Sequence, residues 1–146
     1  MESKGFTLVE LMVTIAVLAV IATLAVPSFT STIRKNQLHS EMQDFVALLK
    51  ETRADAILEK TTHTAKIGGT DGWSPSDGVQ WDATHKPEDE ISFTFMGYWD
   101  VDDDEDANYS ECFMLVNSND SALKAVMLLE KSGSITYLKG ETSCPT

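Results

Sequence analysis

An uncharged run near the start of the chain limits what it can fold into more than any other feature. Residues 11–29 hold 19 amino acids without a charge, and only Thr14, Thr23 and Ser28 among them are clearly polar. That is close to the ~20 residues a helix needs to cross the hydrocarbon core of a bilayer. A helix that is apolar on every side must be covered by lipid or by other helices. The run is not arranged as a secretory signal. Lys4 and Gly5 come before it, and no small-residue cleavage site lies at its far end. A cut ahead of the run would leave it in the mature protein as an anchor. Lys4 is a positive-inside cue that keeps the short leader cytoplasmic and sends the rest of the chain across.

Glu10 stands at the mouth of this run, and no basic residue lies between Phe6 and Phe29 to pair with it. A carboxylate in hydrocarbon costs several kcal/mol without a partner. Cleavage after Gly5 would create that partner, the new α-amino group of Phe6. The two groups are four residues apart, within reach on a helix, and the amine of an adjacent subunit would serve equally. The plainer reading is an interfacial Glu at a helix start, favoured by the helix dipole.

Beyond the run the chain is polar and acidic. Residues 30–146 carry ten Lys/Arg against 21 Asp/Glu, a net of −11, within a whole-chain charge of −12. Such a balance repels nucleic acid and anionic lipid, and otherwise serves solubility. Both cysteines, Cys112 and Cys144, lie in this part. In a domain exported across a membrane they point to one disulfide, and in a cytosolic protein to two free thiols.

The helical period continues past Pro27. Leu38, Met42, Phe45 and Leu49 step by four, three and four, with Ile33, Val46, Ala56 and Ile57 extending the stripe. Arg34, Lys35, Glu41, Asp44, Lys50, Glu51, Arg53 and Asp55 fill the other faces. The spacing predicts one helix over residues 7–59, roughly 80 Å long at ~1.5 Å per residue. Pro27 lacks an amide donor and is expected to kink it. Residues 62–67, 79–82, 91–96, 112–116, 123–129 and 135–138 read as strands. Ile91, Phe93 and Phe95 alternate with polar residues, and Ser132-Gly133 marks a tight hairpin. The expected fold class is α+β, one long helix packed on an antiparallel sheet.

Lys4-Gly5-Phe6-Thr7-Leu8-Val9-Glu10, followed by the apolar stretch to Ala25-Val26-Pro27-Ser28-Phe29, resembles the leader and N-terminal helix of type IV pilins and type II secretion pseudopilins. Arg53-Ala54-Asp55-Ala56-Ile57-Leu58-Glu59-Lys60 is similar to the end-of-helix segment of the GspH/FimT group of minor pilins. Gly72-Trp73, the strand from Gly78 to Trp81, Phe93-Thr94-Phe95-Met96-Gly97 and Gly133-Ser134-Ile135-Thr136 fall where that group has similar features. The resemblance implies the type IV pilin fold. Residues 1–5 are then a leader, 6–29 a transmembrane and assembly helix, and 30–146 the globular domain with the second half of the helix. It implies that a prepilin peptidase cuts between Gly5 and Phe6 and methylates the Phe6 amine, and that Glu10 neutralises a terminal amine during assembly. The expected localisation is a single pass of the bacterial inner membrane with the globular domain in the periplasm, then the cell-surface pilus. The expected partners are other minor pilins and the major pilin. The leading functional expectation is a minor pilin acting in initiation or at the tip of a type IV pilus. The alternatives are a minor pseudopilin of a type II secretion system and a pilus-tip receptor for DNA or another ligand.

Other candidate sites are weaker. Asp100, Asp102, Asp104, Asn108 and Glu111 occupy positions 1, 3, 5, 9 and 12 of a calcium-loop spacing. Position 6 is Glu105, where the turn requires Gly, so a solvated acidic loop is the competing reading. Direct DNA binding is disfavoured, because Gly133-Ser134-Ile135-Thr136 carries no arginine. Lys124, Lys131 and Lys139 give only a mild basic excess. Trp73, Trp81 and Trp99 are expected in packing. His39, His63 and His85 form no ligand motif, and no cofactor or enzyme is implied.

Overall fold

One helix, α1 (Leu8–Glu59), opens the chain and six strands follow it. The computed structural model describes residues 6–101 and 108–145, the side chains of residues 23–28 excepted. The chain divides into two compact units, Met1–Lys35 and Asn36–Thr146, and α1 supplies residues to both. The kink expected at Pro27 falls on the excepted side chains.

In the second unit α1 buries the stripe its spacing announces. Leu38, Met42, Phe45, Val46, Leu49 and Ala56 are all buried. Ile33, in the first unit, and Ile57 are exposed, contrary to the sequence reading. Two short straps hold the start of this helical segment. Gln37 donates from Nε2 to the Asp77 carbonyl at 2.9 Å, and the Glu41 carboxylate accepts from the Ser76 hydroxyl. Lys60, the residue just past the end of the helix, sits at φ 56° in the left-handed region, and the Thr61 amide closes back on the Ala56 carbonyl at 3.2 Å.

The strands form two antiparallel sheets where one was expected. β1 (His63–Lys66) pairs with β3 (Glu90–Phe93). β2 (Val79–Trp81), β4 (Ser110–Asn117), β5 (Asp120–Glu130) and β6 (Ile135–Leu138) make a four-stranded sheet in the order β2-β4-β5-β6. β3 stops at Phe93 and does not continue to Met96. The Thr94 amide bonds the Tyr98 carbonyl and the Gly97 amide bonds the Thr94 carbonyl, closing a turn. The chain then returns along β3 itself, with the Asp100 amide on the Ser92 carbonyl. Phe95, expected to face inward, is therefore exposed.

Both sheets share one core with α1. Ala65, Ile91 and Phe93 from the small sheet meet Phe113, Leu115, Met127 and Leu129 from the large one around the helical stripe. The opposite face of the large sheet has a small cluster of its own, in which Met114, Val116 and Val126 pack with Cys112, Leu138 and Cys144. Alternation along β4 and β5 sends neighbouring residues to opposite faces. The expected hairpin is present between β5 and β6. Gly133 sits there at φ 78°, and a Cβ on it would run into the Gly97 carbonyl, so two turns meet where only glycine fits.

Candidate assembly site

Thr7 stands just ahead of α1. Its hydroxyl oxygen accepts from the Glu10 amide at 3.2 Å, and its carbonyl accepts from the Leu11 amide at 3.2 Å. Thr7 is thus the N-cap, and Glu10 lies three residues on in the first turn, where the dipole favours an anion. The sequence reading passed over Thr7, although Thr-x-x-Glu ahead of an apolar run is the spacing of a capping box. Thr14 donates its hydroxyl to the Leu11 carbonyl at 2.8 Å, which satisfies a polar group inside the apolar run.

Every described side chain from residue 6 to 22 is exposed, Phe6 among the most at 81%. Leu, Val, Ile and Met side chains therefore line all sides of this segment. Among the described residues no helix is long and apolar enough to cross a membrane, and the described side chains stop at residue 22, inside the uncharged run. Gly5, the expected cleavage position, lies outside the described residues.

Cys112 and Cys144 form a disulfide with Cα atoms 5.9 Å apart. It packs on the back of the large sheet and holds the segment after β6 against β4. The paired reading of the two cysteines is therefore the correct one, and the free-thiol reading is not.

The calcium-loop candidates divide. Asp102 and Asp104, with Glu105, lie outside the described residues; Asp100 and Asn108 are exposed and Glu111 is half-buried. Among the described residues no three His, Cys, Asp or Glu side chains come together as a metal site. Burial pushes the Glu111 carboxyl above its ordinary range and the charge of Glu88 adds to this, against a hydrogen bond from Tyr109.

The three lysines considered for DNA do not make one patch. Val126 pairs with Leu138, which puts Lys139 near the Lys124 end of β5, whereas Lys131 follows the other end of that strand. The six strand residues between Lys124 and Lys131 set the two roughly 20 Å apart. The tryptophans pack as expected. Trp73 and Trp81 lie against Phe45 with ring centres 4.8 and 5.0 Å away, and Trp99 packs on Tyr109 at 5.5 Å. Arg53, read in sequence as one charge on a solvated face, has a structural task. Its Nε donates to the Gly97 carbonyl at 2.8 Å and a terminal nitrogen reaches the Ser132 carbonyl at 3.5 Å, tying the helix to both turns.

Residues 1–26 match the family described as the prokaryotic N-terminal methylation motif. Among curated proteins none matches the chain. Among solved structures the chain is similar to the type IV minor pilin FimU of Pseudomonas aeruginosa, at 14% identity and a TM-score of 0.47 over 68% of this chain and 91% of that one. The chain thus carries the prokaryotic N-terminal methylation motif over residues 1–26, which runs into one long helix followed by six antiparallel strands.

Proposed function

We propose that the chain is a minor pilin of a type IV pilus, taking part in initiation or at the tip of the fibre. The observation that carries this reading is the segment over residues 6–22, apolar and exposed on all sides, which lies within the matched methylation motif. Such a surface is stable only under lipid or under other helices. A pilin meets both conditions in turn, the inner membrane first and the fibre interior afterwards. In this reading prepilin peptidase cuts between Gly5 and Phe6 and methylates the new amine. Residues 6–29 anchor the subunit with its globular domain in the periplasm until it joins the fibre. Glu10 pairs with the amine of Phe6 or of a neighbouring subunit, so that neither charge enters the apolar interior alone. Its work is assembly rather than bond chemistry. The assignment as a minor subunit follows the resemblance of the segment from Arg53 to Lys60 to the GspH/FimT group.

Mass spectrometry of the subunit from producing cells tests the first step. The expected N-terminus is Phe6 carrying an added methyl group, and a mature chain still beginning at Met1 would overturn the reading. Glu10→Ala tests the second. Its incorporation into the fibre should fall about tenfold or more, the scale of an amine left unpaired in apolar surroundings. Unchanged incorporation removes the pairing role of Glu10. Recovery of the subunit in pili sheared from the cell surface separates this reading from a secretion pseudopilus.

A further inference from the structure

Nearly all apolar side chains of the second unit are sheltered, and the exposed large ones gather at one pole. Within Asn36–Thr146 the described large hydrophobic residues that stand exposed are Ile57, Leu58, Phe95, Met96 and Tyr98. Leu58 is 77% exposed, Met96 61%, Phe95 52% and Tyr98 51%. They come from two elements, the last turn of α1 and the turn after β3. The backbone brings these together: a Cβ on Gly97 would touch the Ile57 side chain. A cleft of about 450 Å³ opens beside Tyr98, lined in part by Thr94, Trp99 and Lys131.

The pole is rigidly built. Arg53 holds the Gly97 carbonyl, the Thr94–Tyr98 and Gly97–Thr94 hydrogen bonds close the turn, and Gly133 packs against Gly97 from the neighbouring hairpin. Apolar side chains presented on a fixed backbone lose little freedom on binding, so the contact keeps more of its gain.

Area and charge choose the occupant. The five side chains expose on the order of 500 Å², the size of the largest patch on an ordinary monomer and often a functional one. A free-standing complex buries about 800 Å² on each partner, so this patch is too small to hold two diffusing proteins together. It suffices between subunits already aligned by their helices, where the second contact forms at high effective concentration. Two copies of this chain would bring together globular parts of net charge −11 each, which repel.

We infer that Ile57, Leu58, Phe95, Met96 and Tyr98 form the docking surface for the globular domain of a different, less acidic pilin-like subunit in the same assembly. The inference rests on the assembly reading above and names the partner's side of it.

Photo-crosslinking in producing cells tests it on the full chain. Benzoylphenylalanine replaces Phe95 in one variant and Asn119, at the opposite end of β5, in a control. The expected result is a crosslink from position 95, absent at position 119, to another chain that begins with its own methylation motif. The double variant Phe95→Ser, Met96→Ser should lose about tenfold or more of its co-purification with that chain. Its disulfide and its methylated Phe6 should remain, because both side chains are exposed. With Phe6 processed, a crosslink only to a second copy, only to lipid or to nothing overturns the inference and leaves the assembly reading standing. Unchanged co-purification of the double variant does the same. An unprocessed N-terminus overturns both.

Discussion

Asp82 and Glu111 respond to pH in opposite senses. The Asp82 carboxylate accepts from the Thr84 hydroxyl at 2.7 Å, from His85 Nδ1 at 2.9 Å and from the Thr84 amide at 3.1 Å. The Thr84 hydroxyl contributes most, and together they hold Asp82 well below its ordinary value of 3.8. A carboxyl depressed in the folded state stabilises it above that ordinary value, and the contribution is lost as pH falls through the depressed one. Glu111 is raised above its ordinary 4.5, chiefly by burial, so its contribution is present below 4.5 and is lost as pH rises through its folded value. Asp82→Asn should therefore lower the melting temperature at pH 7 and flatten its decline in acid. Glu111→Gln should raise the melting temperature at pH 7 and change it little below pH 4. Melting curves from pH 3 to 7 check both; a Glu111→Gln gain that grows toward acid would contradict the assigned direction. At this scale the sequence said little. Asp82, Thr84 and His85 are near in the chain, but only the turn points three donors at one oxygen. Arg53 was legible as a charge and not as a clamp, since Gly97 and Ser132 lie 44 and 79 residues away.

Along the elements, local pattern carried most of the information. The stripe of Leu38, Met42, Phe45 and Leu49 is buried as its period implies, and each expected strand has a counterpart. Strand partners beyond the Ser132-Gly133 hairpin were not legible. Period does not say which strand a strand pairs with, so the division into two sheets was invisible. Nor did it reveal that β4 is covered on both faces. An apolar run such as residues 112–116 reads the same for one buried face or two. The helix end offers a prediction. Lys60 holds a left-handed conformation that costs a side-chain-bearing residue about 1 kcal/mol, and glycine adopts it freely. Lys60→Gly should stabilise the domain by roughly 0.5–1 kcal/mol in denaturant titrations. A loss of stability would mean that the Lys60 side chain makes a compensating contact.

For the whole molecule, charge and cysteine placement were legible, whereas the location of exposed apolar surface was not. Phe95 alternates with Phe93 in sequence and reads as core, yet the turn at Thr94 places it outside. The disulfide closes a separation of 32 residues. Cys144→Ser should destabilise the domain by roughly 3.5–4 kcal/mol on the chain-entropy account. The loss should concentrate behind the large sheet. Hydrogen exchange there should accelerate around Leu138 while the amides of residues 42–49 keep their protection; uniform acceleration would show that the back cluster and the main core open as one.

In the fibre proposed above a subunit would carry load, and within the second unit the start of α1 would be where that load meets the globular domain. Tension drawn along the helix axis slides the stripe from Leu38 to Leu49 across the sheets, so its contacts share the force instead of parting one after another. The Gln37 and Glu41 straps to Ser76 and Asp77 stand first in that path, just after Asn36. They would act as a mechanical fuse, yielding and re-forming before the core slips. In single-molecule pulling, Glu41→Ala should remove an early low-force event and leave the main rupture force unchanged; a fall in the main rupture would place the straps in the core's own resistance.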